Sequence, residues 1–221
     1  MLTPRPSSCD GCPLNTTAVS GFCPDKIPAK AKYLMWAEAP GKQEIQQSEP
    51  MVGKAGFVLK QWLMKAVPTL QLAMERGEVG FANTLRCLPP ETKGRAYPTG
   101  ETRRLAEAQC RQYDMIPESV HTIVLLGENA QRLFFREELE TEDASDRRLG
   151  HDLKGVMGRI GREYVRDGKR WVFAPHPAYI LRQPALVEHG QAALKISCNE
   201  SVEVRVEYVE WNDAIQTLQT V

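Results

Sequence analysis

The sequence has no excess of either charge, no long apolar run and no apolar leader, and each absence excludes a class of protein. The 28 Lys and Arg residues balance 28 Asp and Glu residues, so the formal net charge is zero. A globally basic, histone-like DNA binder is therefore excluded, whereas a local basic surface is not. No apolar run approaches the roughly 18 residues that a membrane helix needs. The start, MLTPRPSSCDGC, has no apolar signal core, so we expect a cytoplasmic protein.

What the sequence does contain is the composition of an ordinary globular protein. Hydrophobic residues make up 42% and charged residues 25% of its 221 residues, which excludes a disordered, collagenous or coiled-coil protein. The chain is long enough to bury a core, and it shows no internal repeat. We expect a single domain over residues 1–221 that acts as a monomer.

Six cysteines need an explanation, and the spacing of two of them is informative. Cys9 and Cys12 form a C-x-x-C pair, the spacing that zinc and iron–sulfur sites use. A disulfide-rich secreted scaffold is not expected for a chain of this length and composition. On the residues alone, metal ligation and burial as small hydrophobic side chains explain the pair equally well.

Apolar runs alternate with periodic segments along the chain. The runs at 33–36, 79–85 and 121–127 predict buried strands. An Asp-Gly turn predicts a hairpin over 164–173, and alternating valines predict an added strand over 202–208. Helices are predicted over 55–66, 101–116, 128–135 and 184–196. The charged stretch 137–160 predicts an exposed insertion.

Strands that alternate with helices predict an α/β fold with a mainly parallel sheet. Ligands of such sheets bind beyond the carboxyl ends of the strands. Polar, sharply turning segments fall at those ends: 38–41, 83–87, Gly127 and His176 with Pro177. The pattern therefore predicts a site at one edge of the sheet, without naming a reaction.

Four segments, in order along the chain, carry motifs of one enzyme family. The segment AEAPGKQE at 37–44 is similar to the motif GEAPGxxE, and PMVGKAG at 50–56 is similar to PFVGxAG. The segment NTLRCLPP at 83–90 is similar to NxxKCRPP, and HPAYILRQP at 176–184 is similar to the His-Pro motif with its LRxP continuation. Together they resemble the uracil-DNA glycosylase superfamily, most closely its iron–sulfur-containing family four.

The resemblance implies a three-layer α/β/α sandwich around a central, mainly parallel four-stranded sheet. It also implies four cysteine ligands for a structural 4Fe–4S cluster: Cys9, Cys12, Cys87 and Cys110. Thiolates also suit zinc, which is the less favoured metal here. The cluster would tie down the N-terminal segment 1–30, while Cys23 and Cys198 fall outside the ligand set.

The chemistry implied by the resemblance is removal of a pyrimidine from DNA. As the bond between the anomeric carbon and N1 breaks, negative charge collects on O2 of the base and has to be stabilised. His176 would donate a hydrogen bond to O2 as a neutral imidazole, and Asn83 would bind the Watson–Crick edge of the flipped base. Glu38 and Glu44 would position water, steady the cationic sugar or shape the pocket.

Backbone groups and basic side chains are implied to contact the DNA as well. The turn over residues 37–41, which includes Ala39, would offer backbone N–H groups to the base and its 5′ phosphate, and Pro40 and Gly41 would allow close approach. The loop between the two later cysteines carries basic residues expected to lie against phosphates: Arg95, Arg103 and Arg104.

The segment directly after the His-Pro motif occupies the place of the family's groove-inserting loop. Its residues are Tyr179, Ile180, Leu181 and Arg182. The apolar members would fill the space that the flipped base leaves, and Arg182 would bind a phosphate. In the alternative explanation, Ile180 and Leu181 begin the next helix and face the core.

The most informative departure from the family is Met51, which replaces the aromatic residue of the PFVGxAG motif. A thioether can lie against a base, but it is flexible and defines the pocket less sharply. The family chemistry is therefore better supported than uracil as the specific base.

Several functions stay open at this point. We expect a monofunctional DNA glycosylase acting on DNA with a damaged or modified base, with uracil first, because no lysine lies in a motif for Schiff-base chemistry. A bulky modified cytosine, such as phages carry, is the alternative substrate. Two alternatives lie outside this chemistry. One is a catalytically weak DNA-binding or damage-sensing protein, and the other is a zinc-containing nucleotide-binding protein.

Overall fold

A five-stranded sheet forms the centre of the protein. The structure, a computed structural model, describes residues 4–15, 21–90, 97–141 and 158–200. The strands are β1 (Tyr33–Ala37), β2 (Val79–Asn83), β3 (Thr122–Leu126), β4 (Glu163–Arg166) and β5 (Lys169–Ala174). They lie in the order β2-β1-β3-β5-β4. The predicted strand at 202–208 and Arg95 are outside the described residues.

Four of these strands are parallel, as the alternation predicted. β1 pairs in parallel with β2 and β3, and β3 pairs in parallel with β5. β4 pairs antiparallel with β5, so the predicted Asp-Gly hairpin adds a strand at the edge. The expectation of a four-stranded sheet is therefore corrected to five strands.

Helices follow the strands along the chain. They are α1 (Lys42–Gln47), α2 (Lys54–Phe57), α3 (Pro68–Glu75), α4 (Gly100–Arg111), α5 (Glu128–Phe134), α6 (136–141), α7 (Pro177–Arg182) and α8 (Val187–Ser197). The helix predicted over 55–66 is not a single α-helix, because α2 continues as a π turn over Val58–Leu63 and a 3₁₀ turn over Met64–Ala66. Within the described ranges, no helix is both long and apolar enough to cross a membrane.

Alternate residues of the central strands face two separate cores, which makes the fold a three-layer sandwich. Met35 and Val124 face a core that includes apolar side chains of the π turn, α3 and α8. Leu34 and Trp36 face the opposite core, with Phe135 and other side chains of the α5–α6 region. All five residues of β1 are buried, as expected for a parallel strand covered on both faces.

The N-terminal segment runs along the free edge of β2. Lys26 and Phe81 exchange both backbone hydrogen bonds, each 2.9 Å long, which gives a one-residue antiparallel bridge. Further along, Cys23 N–H donates to the carbonyl of Arg86 at 2.7 Å. Residues 23–26 of the N-terminal segment are thus held on the sheet by backbone contacts.

The described ends of the predicted insertion pack into the domain. Leu139 on α6 is fully buried in the second core, and Arg159 is buried close to the start of β4. Leu139 and Arg159 are therefore part of the folded unit, whereas residues 137, 140 and 141 are exposed, and the insertion over 137–160 stays a prediction. Residues 142–157 are outside the described ranges.

Candidate functional site

The parallel strands bring three predicted site segments together around Gly127, which follows β3. Gly127 has φ +91° and ψ 167°, a conformation that is essentially restricted to glycine. A Cβ atom on this residue would lie 2.5 Å from Glu38 Oε1 and 2.9 Å from His176 Cβ. Only a glycine lets the side chains after β1 and β5 approach this closely.

The hydrogen bonds of His176 determine which of its ring nitrogens can donate. His176 is the N-cap of α7, and its Nδ1 accepts the backbone N–H of Ala178 at 3.1 Å. A nitrogen that accepts carries no hydrogen, so the neutral ring has its hydrogen on Nε2. Pro177 at the first helical position fixes the backbone next to the ring. His176 is therefore arranged to donate from Nε2.

Glu38 connects the end of β1 to two neighbouring segments. Its Oε1 accepts the backbone N–H of Asn129, at the start of α5, at 3.1 Å. Its carbonyl oxygen accepts the N–H of Leu85 at 2.9 Å, which ties it to the loop after β2. The carboxylate thus lies between α5 and His176, and Asn129 is a site residue that the sequence did not indicate.

Glu44 is buried, and both of its carboxylate oxygens accept backbone hydrogen bonds. One oxygen accepts the N–H of Gly41 and the other accepts the N–H of Met51. Glu44 therefore joins the turn after β1 to the segment before α2. The expectation that Gly41 offers its N–H to DNA is corrected, because that N–H already donates to Glu44.

Met51 is held in an unusual backbone conformation at this site. Its φ is +58°, and its side chain is buried in the first core. Gly56 packs on its carbonyl so closely that a Cβ atom there would lie 2.0 Å from Met51 O. The position is thus fixed by Glu44 on one side and by Gly56 on the other. Ala39 is half-buried, and Pro40 is buried in the turn nearby.

Asn83, at the end of β2, has a buried amide without a protein partner. Its side chain is 1% exposed, and among the described residues neither Oδ1 nor Nδ2 has a hydrogen-bond partner. Its backbone N–H donates to Asp25 Oδ1 at 3.2 Å. Buried polar groups are nearly always paired, so an unpaired amide at the ligand edge of a parallel sheet indicates a group that binds a ligand.

Behind Asn83 lies a buried ion-pair network that the sequence did not indicate. Arg86 Nη2 contacts Asp25 Oδ2 at 2.5 Å, and Arg86 Nη1 contacts Asp114 Oδ1 at 2.9 Å. Arg86 Nη1 also donates to the carbonyl of Cys110 at 3.0 Å. Burial raises the pKa of Asp25, while the charge of Arg86 opposes the rise. The network connects Asn83 to the region around the cysteines.

All four predicted ligand cysteines line one cavity. Cys9, Cys12, Cys87 and Cys110 are buried free thiols, and Phe22 and Leu14 also contribute to the cavity lining. Burial first, and then the neighbouring Cys110 thiol, raise the pKa of the Cys87 thiol to about 12. Among the described residues, no three His, Cys, Asp or Glu side chains already stand in a chelating arrangement. The donor set suits a thiolate-ligated metal group.

The segment after the His-Pro motif divides between core and surface. Ile180 is fully buried in the first core and reaches Gly190 beside Leu63. The prediction that Ile180 contacts DNA is therefore corrected, and its alternative as a core residue holds. Leu181 is 38% exposed, and Arg182 is exposed with its guanidinium 5.7 Å from the Tyr179 ring.

Two of the predicted phosphate ligands are paired with carboxylates. Arg103 contacts Glu107 at 2.8 Å, and Arg104 contacts Glu101 at 2.6 Å. Glu107 is buried and also accepts the hydroxyl of Tyr97 at 3.1 Å. Both guanidinium groups thus contact carboxylates of α4, and their expected role on phosphates stays a prediction.

Tyr97 is a further residue near the site that the motifs did not indicate. Burial raises its pKa well above the usual value, and the charges of Glu107 and Glu38 raise it further. Tyr97 and Ala39 both pack against the apolar side chains around the cysteines. The charged turn after β1 is therefore bordered by an aromatic ring from the loop before α4.

Comparison with known proteins identifies the family. A sequence model of the uracil DNA glycosylase superfamily matches residues 24–202. A relative from Archaeoglobus fulgidus is 30% identical over 192 residues, which cover 85% of each chain, and its name is type-4 uracil-DNA glycosylase. Relatives of the same name from Sulfurisphaera tokodaii and Pyrobaculum aerophilum are each 29% identical over 81% of this chain, covering 74% and 82% of their own lengths. The chain therefore belongs to the uracil DNA glycosylase superfamily.

Proposed function

We propose that this chain is a monofunctional DNA glycosylase that hydrolyses the N-glycosidic bond of a flipped-out uracil in DNA and leaves an abasic site. The observation that carries the proposal is the buried, unpaired amide of Asn83 at the same sheet edge as the Nε2 donor of His176. Membership in the superfamily supports the reaction, and the names of the relatives support uracil as the base.

In the proposed reaction, the base is recognised before the bond breaks. The amide of Asn83 presents one donor and one acceptor, which match O4 and N3–H of uracil. This pairing satisfies the two buried atoms that have no partner in the protein. A flipped base with the wrong pattern would leave them unpaired, so Asn83 discriminates between bases by the cost of an unmade hydrogen bond.

As the bond between C1′ and N1 breaks, the electron pair stays with the base and charge builds up on O2. His176 donates from Nε2 to O2, and the bond strengthens as the charge grows. A water molecule then adds its hydroxyl to C1′, and its proton goes to the released uracil. We assign to Glu38, which lies beside His176, the orientation of this water and the stabilisation of the cationic sugar.

Glu44 acts as a positioning residue in this proposal, because its two oxygens already hold Gly41 and Met51. Leu181 and Arg182 remain the proposed DNA contacts of α7, with Leu181 entering the duplex and Arg182 on a phosphate. The Arg182 guanidinium lies over the ring of the half-buried Tyr179. We also propose that the protein acts as a monomer in the cytoplasm and that residues 1–221 form one domain.

The four cavity cysteines are proposed to hold a 4Fe–4S cluster, with zinc as the less favoured metal. The support is the shared cavity, the buried free thiols and the suitability of thiolates for soft metals. A bound metal group supplies positive charge that keeps the thiols deprotonated, which burial alone opposes. Its role is structural, since it joins the segment 4–15 to the loop after β2 and to α4.

A second candidate substrate is a modified pyrimidine. The observation in its favour is Met51. Its flexible side chain occupies the position at which the family motif PFVGxAG has an aromatic ring. The test is a set of oligonucleotides carrying uracil, hypoxanthine, hydroxymethyluracil or modified cytosines, followed by alkaline strand scission. Cleavage at uracil first supports the main proposal, and cleavage at a bulkier pyrimidine first supports the alternative. No cleavage at any base would leave a DNA-binding protein and overturn both.

A further inference from the structure

Two aromatic side chains, Phe57 and Trp62, lie exposed next to each other on the surface. Phe57 is 57% exposed and Trp62 is 37% exposed. Their ring centroids are 6.4 Å apart, in an edge-to-face arrangement with an interplanar angle of 75°. Leaving two large aromatic rings in water is unfavourable, so the pair indicates a surface that another molecule covers. We call this pair the aromatic platform.

The π turn explains why these two rings meet. In an α-helix, residues five positions apart point in directions about 140° apart, so Phe57 and Trp62 would lie on different faces. Hydrogen bonds in a π turn join residues five apart, which places such residues one above the other. The π turn over Val58–Leu63 thus builds the aromatic platform, and π turns occur frequently at functional sites.

The aromatic platform lies directly beside the proposed DNA-binding elements. α2 starts three residues after Met51, and Gly56 packs on the Met51 carbonyl. α7 packs against α2 and the π turn, with Leu63 and Ile180 meeting over Gly190. Trp62 and Leu181 are the exposed chain neighbours of those two buried residues, so the platform and Leu181 lie on elements that pack against each other.

The charge around the aromatic platform suits a nucleic acid. Between Pro50 and Met74 the sequence contains three lysines and no acidic residue. Lys54 precedes Phe57 by three residues and Lys65 follows Trp62 by three residues, and both are exposed, as is Arg182 on α7. This local positive surface occurs in a chain whose net charge is zero. Exposed aromatic rings among basic side chains are typical of surfaces that bind single-stranded nucleic acid.

We propose that the aromatic platform binds single-stranded DNA, with unpaired bases stacked on Phe57 and Trp62 and the backbone along Lys54, Lys65 and Arg182. The inference extends the proposed function, because the bound strand is the one that carries the flipped base. Bases are available for stacking only where they are unpaired, so the platform favours single-stranded over duplex substrate. Every base has a π face, so the contact is independent of sequence.

The test is binding of the full-length protein to a short, fluorescently labelled oligonucleotide without uracil, as a single strand and as a duplex. Replacing both Phe57 and Trp62 by Ala is expected to raise the Kd for the single strand by about 10- to 100-fold, with the duplex changed by less than about twofold. Trp62→Phe keeps a ring and retains binding. Trp62→Met keeps a long apolar side chain without a ring and weakens binding, which separates stacking from general apolar contact.

Matched controls are Leu72→Ala and Met115→Ala, which remove exposed apolar side chains from other parts of the surface and leave both Kd values unchanged. All variants should remain folded by circular dichroism, and the double variant should melt at a lower temperature, because Trp62 is only 37% exposed and the rest of its ring packs on the protein. An unchanged Kd for the single strand in the double variant would overturn the proposal, and so would an equal loss on single strand and duplex. If the double variant changed only the self-association of the protein, the aromatic platform would be a protein-binding surface, which would also overturn the proposal. Because the oligonucleotide contains no uracil, the result is independent of base excision.

Discussion

Gly127→Ala tests whether the close approach of Glu38 and His176 sets the rate of excision. A Cβ atom at residue 127 would lie 2.5 Å from Glu38 Oε1, whereas ordinary contact begins at 3.4 Å, so the carboxylate has to retreat by about 0.9 Å. His176 Cβ, 2.9 Å from the same point, has to move as well. Displacing a catalytic group by about 1 Å costs on the order of 10²-fold in rate. The φ of +91° adds backbone strain of about 1–3 kcal/mol.

The matched control is Gly168→Ala in the turn between β4 and β5. Gly168 also has a positive φ, +70°, but a Cβ atom there would meet nothing within 4 Å. Both variants should therefore melt at a lower temperature than the unmodified protein. Only Gly127→Ala should lose about 100-fold in the single-turnover rate on a uracil oligonucleotide, measured by alkaline strand scission. A Gly127→Ala rate within about twofold of the unmodified protein would refute the roles of Glu38 and His176 as neighbours in catalysis.

Four further predictions follow from the site. His176→Ala should lower the single-turnover rate by about 10²–10³ and leave the Kd for uracil DNA unchanged, because its bond to O2 forms fully only as charge develops; a near-normal rate would exclude the role. In anaerobically purified protein, Cys9→Ala should lower the iron content and the absorbance at roughly 400 nm, while Cys23→Ala should change neither. Zinc without iron in the unmodified protein would refute the cluster. Met51→Phe should raise the ratio of single-turnover rates on uracil and on a bulkier pyrimidine, because a rigid ring stacks on a flat base; an unchanged ratio would make Met51 a packing residue only. Arg86→Ala should lower the free energy of unfolding by about 3–5 kcal/mol in denaturant titrations, because it leaves the buried carboxylates of Asp25 and Asp114 without their partner. A loss below about 1 kcal/mol would show that the network is well hydrated.

The parts of the fold that rest on local pattern could be predicted from the sequence. β1 and β3 are short apolar runs, and their alternation with helices determines a parallel sheet and the edge at which ligands bind. Asn83 and His176 were predicted because they end such runs within recognisable motifs. The fifth strand was missed because the Asp-Gly turn predicts a hairpin but does not reveal that its first arm joins the sheet edge.

Features that depend on contacts between distant segments could not be read from the sequence. Asp25 and Arg86 are 61 positions apart, and nothing in their neighbourhoods indicates that they form an ion pair. The π turn was missed because apolar residues of an α-helix and of a π turn follow nearly the same pattern over one turn. Ile180 and Leu181 are similar residues in adjacent positions, and only the packing of α7 on α8 determines which of them is buried.

The bridge between Lys26 and Phe81 has a consequence for solubility. β2 is an edge strand of the sheet, and the unpaired N–H and C=O groups of an edge strand can recruit another chain. The N-terminal segment covers this edge with the backbone pair between Lys26 and Phe81 and with Asp25, whose Oδ1 accepts the N–H of Asn83, while Pro24 and Pro28, which have no N–H, flank the bridge. The covering segment therefore pairs with β2 without extending into a strand of its own. Release of this segment would uncover the edge of β2, so reduced solubility should accompany any loss of the contacts that hold Cys23, Asp25 and Lys26 on this edge.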